Sequence, residues 1–435
     1  MSAFWRFDNL ERITGGTWLA EPTAGDQTAT GLSHDTRTLS SGQVYLAVSG
    51  ENHDGHDFVD QAFEAGAALA IVESPNPSIA RLQLVVDNTV TALQDLASAF
   101  RDELARGGCR VIAVCGSNGK TTTRHLLHYV LTGCGLRGTQ SPKSFNNHLG
   151  VPLTLLAADP SHDFVACEVG TNHPGEIASL GDIVWPDAAI VTSIGREHLE
   201  FFGDLEGVAR EEASILPFVR RGGLAVTTPE AAALMMPHYD VAEGVTVLPV
   251  TGAPGVPAEF PLPGRHNRMN AALVAAVGRW MGIDDDRIAA AWAGVGPPPG
   301  RLREIALGQG VTLLDDTYNA NPDSVRVALD TLAERLMGGS GRRVAVLGEM
   351  RELGDASAEA HAETATRAEQ SADRVEFVGD AFGAEPWSDA WARQVVDRLE
   401  PGDTVLLKAS RGVRLERLIP LIEKRFGPAH PVDER

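Results

Sequence analysis

Residues 111–123 read VIAVCGSNGKTTT, an apolar β-branched run that breaks into a glycine-punctuated turn ending in Lys-Thr-Thr-Thr. Such a run predicts a strand feeding a phosphate-cradling loop and then a helix, the arrangement that handles a nucleoside triphosphate. Gly116 and Gly119 carry no Cβ and let backbone N–H groups approach phosphate oxygens. The N-terminus of the following helix adds unpaired donors and the positive end of its dipole. Lys120 is placed to neutralise the β- and γ-phosphates, and the Thr121 hydroxyl to ligate Mg²⁺. The loop departs from the eight-residue consensus at one end, where Val114 stands in place of the first glycine. An ordinary strand–turn–helix corner is the alternative, and the unbroken order of strand, glycines, Lys-Thr and helix argues against it.

Ligands of doubly wound sheets bind beyond the carboxyl ends of the strands, and that rule selects further candidates. FVACEVG ends its strand at Glu168, and AAIVTSIGREHLE ends its strand shortly before His198. A carboxylate and an imidazole facing the crevice beside Lys120 could hold Mg²⁺, although this ion prefers oxygen ligands. Taken singly, Glu168 could cap a turn and His198 could be a packed histidine. In GRHNRMNAA (264–272), Asn267 and Asn270 lie one helical turn apart, where two amides can read a purine edge or Asn267 can cap the helix. Arg301, followed by Arg303, could reach a phosphate or ribose, or stay a solvated surface arginine. DDTYNANPDS (315–324) gathers Asp315, Asp316, Tyr318, Asn319 and Asn321 at a strand end. Asn-Pro-Asp-Ser is ordinary helix-start chemistry, but capping does not require the residues before it.

The elements that must position these groups alternate between apolar runs and helical patterns, which predicts an α/β fold of three domains with largely parallel sheets. The helix expected over 88–105 places Leu93, Leu96, Ala97, Phe100 and Leu104 on one face. An Arg-Gly-Gly break follows, and the prolines of GVGPPPGR (294–301) form the clearest linker. These set domains at 1–106, 107–299 and 300–435. The 435 residues are 43% hydrophobic and 22% charged, ordinary for a soluble protein, and the net charge of −21 argues against a nucleic-acid partner. No stretch reaches membrane-spanning length, and the start shows no apolar leader, so no membrane insertion is expected. Four cysteines without metal or CxxC spacing read as buried thiols of a cytoplasmic protein.

The order GSNGKTTT, SFNNHLGVPLTLL, EVGTNHPGEI, IGREHLEFFG, GRHNRMNAA, PGRL and DDTYNANPDS resembles the Mur ligases of peptidoglycan synthesis. SHDTRTLSSGQVYLAVSGENHDGHDF (33–58) is similar to the family's UDP-sugar-binding domain, and VLGEMRELG (346–354) and LLKASRGVRLERL (406–418) to its C-terminal domain. YNANPDS and GTNHPGEI favour the branch that adds D-alanyl-D-alanine. The resemblance implies a central P-loop-type ATP-binding domain and a Rossmann-like C-terminal domain. It implies ATP and Mg²⁺ as cofactors, and UDP-N-acetylmuramoyl-tripeptide and D-alanyl-D-alanine as substrates of a monomeric cytoplasmic enzyme. Carried over residue by residue, Gly116, Ser117, Asn118, Gly119, Lys120, Thr121 and Thr122 hold the phosphates and Mg²⁺. Glu168 and His198 become magnesium ligands, Asn267 and Asn270 face adenine, and Arg301 and Asp316 complete the nucleotide site. Asn146 and Asn147 contact the muramoyl peptide, Asp35 and Arg37 its nucleotide end, and Tyr318, Asn319 and Asn321 help seat the dipeptide.

Two departures stand out. The family generally carries a carbamylated lysine where this chain has Glu212, in VAREEAS. Glutamate supplies the same charge on a shorter arm, which implies that Glu212 orients a magnesium through water or a shifted helix; the alternative is a solvent-facing helix residue beside Glu211. KASR (408–411) replaces the family's usual KGSR, so Ala409 puts a close backbone approach there in doubt. The implied reaction is an ADP-forming amide ligation through an acyl phosphate. The rivals are another Mur or folylpolyglutamate synthase-like ligase and a non-catalytic nucleotide-binding relative.

Overall fold

The computed structural model describes residues 3–428 apart from 24–27, 51–52 and 336–340. Part of the segment 33–58 lies outside the described residues. Each of the three expected α/β units has its own sheet. In the first, β1 (Thr17–Trp18), β2 (Leu32–Ser33), β3 (Val44–Leu46), β4 (Leu69–Val72) and β5 (Gln83–Val85) are ordered β1-β5-β4-β3-β2. Only the β1–β5 pair is antiparallel.

The middle sheet is wholly parallel. β6 (Arg110–Cys115), β7 (Gly138–Gln140), β8 (Phe164–Glu168), β9 (Ala188–Val191), β10 (Leu224–Thr227) and β11 (Thr246–Pro249) take the order β11-β10-β9-β6-β8-β7. The chain leaves β6 in one direction toward β7 and β8 and returns on its other side as β9. That reversal opens a crevice over the carboxyl ends of β6, β8 and β9. The third sheet contains β12 (Arg303–Ala306), β13 (Thr312–Asp316), β14 (Arg343–Gly348), β15 (Arg374–Val378) and β16 (Thr404–Lys408), ordered β12-β13-β16-β14-β15 with β12 antiparallel. The short edge strands β1, β2, β7 and β12 carry no apolar run that would announce them, because a half-covered edge needs little burial.

The helix Thr89–Arg106 is capped by Asn88, whose side chain accepts from the Thr91 N–H, and it buries all five predicted apolar residues. Those side chains share one core with Val111, Ala113 and Cys115 of β6. Arg101, almost fully buried on the same helix, donates to Val184 O at 2.8 Å and to Asp187 Oδ2 at 2.7 Å. The break at residue 106 therefore separates segments of sequence, while apolar packing runs across it. The proline linker is irregular, as expected, and hangs on the helix Lys120–Gly133: Tyr129 Oη donates to Ala293 O at 2.7 Å, and His125 Nε2 lies 3.0 Å from Gly296 O.

Candidate functional site

β6 runs directly into the glycine loop. Gly116 has φ +111°, and a Cβ there would stand 2.5 Å from Thr192 Oγ1 and 2.7 Å from Thr192 N, so the exit of β9 leaves room only for glycine. Gly119, at φ +90°, opens the helix Lys120–Gly133. The loop amides are not distributed as the sequence suggested. Gly116 N donates to Glu212 Oε2 at 2.7 Å, Ser117 N to Ser193 O at 2.8 Å and Asn118 N to Ser193 Oγ at 3.0 Å. These three N–H groups already have protein acceptors. The donors left for an anion are those of Gly119 at the N-cap and of the first helical turn at Lys120, Thr121 and Thr122, which have no intrahelical acceptor.

Lys120 folds back over the loop, donating to Gly116 O and to Ser117 O, with Nζ 3.5 Å from Glu197 Oε2. Burial works against its ammonium, but Glu197, Glu212 and Glu168 outweigh that and hold its pKa above the ordinary lysine value. The site keeps a fixed positive charge where a phosphate would arrive.

Glu168 ends β8 and is 1% exposed. It is no cap: its oxygens accept from Thr121 Oγ1 at 3.1 Å, Arg124 Nε at 3.1 Å and Asn146 Nδ2 at 3.2 Å. Arg124 is itself buried and donates onward to Gln140 and to Lys143 O. His198, at φ +46°, has Nδ1 2.6 Å from Glu352 Oε2 of the C-terminal domain. Hydrogen bonding to His198 lowers the Glu352 pKa. Among the described residues no three His, Cys, Asp or Glu side chains gather as an ion site, while the three expected ligands, Thr121, Glu168 and His198, line one cavity. The Thr121 hydroxyl and the Glu168 carboxylate do meet, and two hard oxygen donors suit Mg²⁺, which commonly keeps water and phosphate for its other positions.

The C-terminal domain closes over this point. Arg301 Nη2 donates to Thr121 Oγ1 at 3.2 Å, and its guanidinium lies 4.1 Å from the Tyr318 ring centroid. Tyr318 Oη donates to Ser144 Oγ, Asn321 Nδ2 to Asn118 Oδ1 at 2.9 Å, and Arg196 N to Asp323 Oδ2 at 2.8 Å. Asn321 also caps the helix Pro322–Ala333 through its Oδ1, so both readings of that residue hold. The cavity at this junction is about 390 Å³ and is lined by Lys120, Asn146, Asn147, Glu168, His198 and Tyr318 among others, Asn319 included. Asn147 Oδ1 also accepts from Gly150 N at 2.9 Å, which shapes the turn beneath it.

A second cavity of about 480 Å³ lies on the other side of the loop, and Asn118, Gly119 and Arg301 line both. Here Asn267 and Asn270 are buried, and Asn267 Nδ2 donates back to Pro263 O at 2.7 Å instead of capping the helix Arg265–Trp280. Asp316 faces this cavity with its oxygens already held, by Leu302 N at 3.0 Å and by Lys408 Nζ at 2.6 Å. Burial lowers the Lys408 pKa, and Asp316 resists the shift. Ala409 is fully buried, and its methyl sits where a Cβ on Gly348 would come within 2.7 Å. A glycine on the neighbouring strand thus accommodates the alanine of KASR.

Asp35 and Arg37 line neither cavity. They pair with each other at 2.7 Å on the N-terminal domain, and the Arg37 hydrogen bonds pull the Asp35 carboxyl down to about 2. Glu212 is fully buried, which overturns the solvent-facing alternative. Sequence reading missed Arg124, Glu197, Ser144, Glu352 and Lys408. Arg124 was discernible, since it follows Lys120 by four residues and shares its helix face. Glu352 and Ser144 meet their partners only through domain packing and left no local sign.

Comparison with known proteins agrees along the whole chain. Residues 28–101 match the Mur ligase family catalytic domain, 114–238 the Mur ligase middle domain and 300–411 the Mur ligase glutamate ligase domain. The UDP-N-acetylmuramoyl-tripeptide–D-alanyl-D-alanine ligase of Bacillus subtilis is 34% identical, over 94% of this chain and 96% of its own length. The structure of MurF from Acinetobacter baumannii superposes with a TM-score of 0.80 at 28% identity, covering 97% of this chain and 99% of that one. MurF from Thermotoga maritima, solved in complex with ADP, gives 0.77 at 27% identity over 91% and 97%. From its first sheet to its last, the chain belongs to the Mur ligase family.

Proposed function

We propose that this chain joins D-alanyl-D-alanine to UDP-N-acetylmuramoyl-tripeptide at the expense of ATP, releasing ADP and phosphate. The observation that carries this reading is a buried lysine and a hydroxyl–carboxylate pair at the mouth of a parallel sheet, roofed by Arg301 and Tyr318. The relatives' names support the substrates. The tripeptide's terminal carboxylate attacks the γ-phosphorus, ADP departs, and the dipeptide amine then displaces phosphate from the acyl phosphate.

Phosphoryl transfer of this kind depends on positioning and charge neutralisation. The first-turn N–H groups at Lys120, Thr121 and Thr122 hold the phosphates, and Lys120 meets the charge that develops on them. Mg²⁺, held by Thr121 and Glu168 with His198 nearby, would supply further neutralisation. Asn267 and Asn270 face the base, Arg301 and Asp316 flank the nucleotide, and Asn146 and Asn147 meet the acceptor. Tyr318, Asn319 and Asn321 lie toward the dipeptide, and Asp35 and Arg37 toward the uridine end. The contacts between Asn321 and Asn118 and between Tyr318 and Ser144 favour a closed, water-poor site, which protects an acyl phosphate from hydrolysis. Units at 1–106, 107–299 and 300–435, a monomer and a cytoplasmic location complete the proposal. No helix among the described residues is long and apolar enough to cross a membrane.

The test is ADP release from purified enzyme given ATP, Mg²⁺ and a panel of acceptors and amines. Strong turnover with the tripeptide nucleotide plus D-alanyl-D-alanine is expected. Turnover confined to another amine or to a folate acceptor would move the chain to another branch, and tight ATP binding with no phosphate release under any pairing would make it a non-catalytic relative.

A further inference from the structure

Glu211 and Glu212 stand side by side near the end of the helix Leu205–Ala213, and both are buried, at 7% and 0% exposure. Two adjacent carboxylates removed from water are costly unless donors meet them. Here the donors come from two different places, the phosphate loop and the segment 171–177, and all but the Thr171 hydroxyl are backbone N–H groups. Glu212 Oε2 accepts from Gly116 N at 2.7 Å, at the point where β6 turns into the phosphate loop. Glu211 Oε2 accepts from Gly175 N at 2.7 Å, and its Oε1 accepts from Ile177 N at 2.8 Å and Thr171 Oγ1 at 3.3 Å.

The second loop needs such a partner. The helix Glu176–Val184 starts on Gly175, at φ +89°, which has no side chain to cap it. Glu211 satisfies two N–H groups at that helix start from another helix, and a carboxylate also suits the positive end of the dipole. The same loop forms the partition between two cavities. Gly170 and Glu176 line both the reaction cavity and a neighbouring one of about 760 Å³ that reaches Gln94 and Ser98 of the N-terminal segment. Gly170 N donates to Asn146 O at 2.8 Å, and a Cβ on Gly170 would come within 2.7 Å of Asn146 Nδ2, so any drift of this loop reaches the proposed acceptor contacts.

We infer that Glu211 and Glu212 are positioning residues that clamp two loops from one helix end, Glu212 setting the phosphate loop and Glu211 setting the acceptor-side wall at 170–177. Because they are consecutive, a single peptide unit fixes the spacing between nucleotide and acceptor. This inference rests on the ligase reading above for the identity of the acceptor, but not for the nucleotide arm.

The test uses the full chain with Glu211→Ala, Glu211→Gln, Glu212→Ala and Glu212→Gln, reading ADP affinity by calorimetry, KM for the tripeptide nucleotide and the thermal midpoint. Losing one buried hydrogen-bonded acceptor corresponds to about a tenfold effect. Glu211→Ala is expected to raise the tripeptide KM about tenfold with ADP affinity unchanged, and Glu211→Gln, which keeps one acceptor oxygen, to raise it less. Glu212→Ala is expected to weaken ADP about tenfold, and Glu212→Gln, still able to accept from Gly116 N–H, to restore it. If the alanine variants fail to fold, the glutamine pair decides: a tripeptide KM raised in E211Q with ADP affinity kept in both supports the clamp. Glu211 variants that shift ADP affinity as much as tripeptide KM, or Glu212→Gln binding ADP as poorly as Glu212→Ala, overturn it. A wild-type enzyme that binds ADP but ligates nothing defeats the ligase reading instead, and the Glu212 arm still judges the clamp.

Discussion

The two cavities beside the phosphate loop are built by different means. The one containing Asn267 and Asn270 takes both of those amides from the first turns of one helix, Arg265–Trp280, where His266 and Met269 join them at helical spacing, and the rest of its wall comes mostly from the exit of β9 and the C-terminal domain. The one containing Glu168 and Tyr318 is assembled from loops of the middle and C-terminal domains, through pairs such as Tyr318 with Ser144, 174 residues apart in sequence. In the first, local helical spacing places the two amides. The second depends on buried ionic and hydrogen-bonded links, each of which is lost whole when one partner is removed.

The sharpest way to break that contrast is Arg124→Ala. Arg124 and Glu168 are 6% and 1% exposed, and deleting one member of such a pair leaves an unpaired buried charge, a cost of about 3–5 kcal/mol. Denaturant titration should show that loss. A variant as stable as the wild type would mean that the acceptor-side cavity does not lean on its buried charges. Lys120→Ala should follow closely in size, lowering turnover by about 10²–10³-fold, since it removes the fixed positive charge that lines the reaction cavity. Phosphate release measured with saturating substrates checks it.

The nucleotide-side cavity is sharpened by pH. Burial, with Lys408 adding to it and Asp316 opposing, pushes the His266 imidazole down to about 4. The unfolded chain takes up a proton near the ordinary histidine value while the folded chain refuses it until about 4. Stability present above about pH 6.5 therefore drains away as pH falls toward about 4, by about 3 kcal/mol at most. His266→Gln carries no titrating proton and should flatten that part of the urea-midpoint profile. An unchanged slope would assign acid sensitivity to other groups.

This division also explains what could be read from residues alone. The phosphate loop, the strand-end Glu168 and the Asn267–Asn270 pair are local patterns, with glycines, apolar runs and helical spacing to mark them. The three sheets follow from apolar runs, and only short edge strands such as β7 and β12 escaped. What could not be read is which donors are already taken. Nothing in GSNGKTTT says that Gly116, Ser117 and Asn118 give their N–H groups to Glu212 and Ser193, because those acceptors arrive from β9 and from the helix Leu205–Ala213. Nor does VAREEAS say that its two glutamates face inward, since a charged pair on a helix is ordinarily solvated.

The smallest effect belongs to the contact that spans domains. Tyr318→Phe keeps the ring beneath Arg301, at 4.1 Å, and deletes only the hydroxyl that donates to Ser144. One such bond is worth about 1 kcal/mol, so KM for D-alanyl-D-alanine should rise about fivefold. KM for ATP should stay put, because Tyr318 does not line the cavity of Asn267 and Asn270. If both KM values rise together, the hydroxyl serves closure of the whole C-terminal domain and the two cavities respond as one. If only the dipeptide KM moves, the acceptor-side cavity can be tuned through a single link while the nucleotide-side cavity holds its shape.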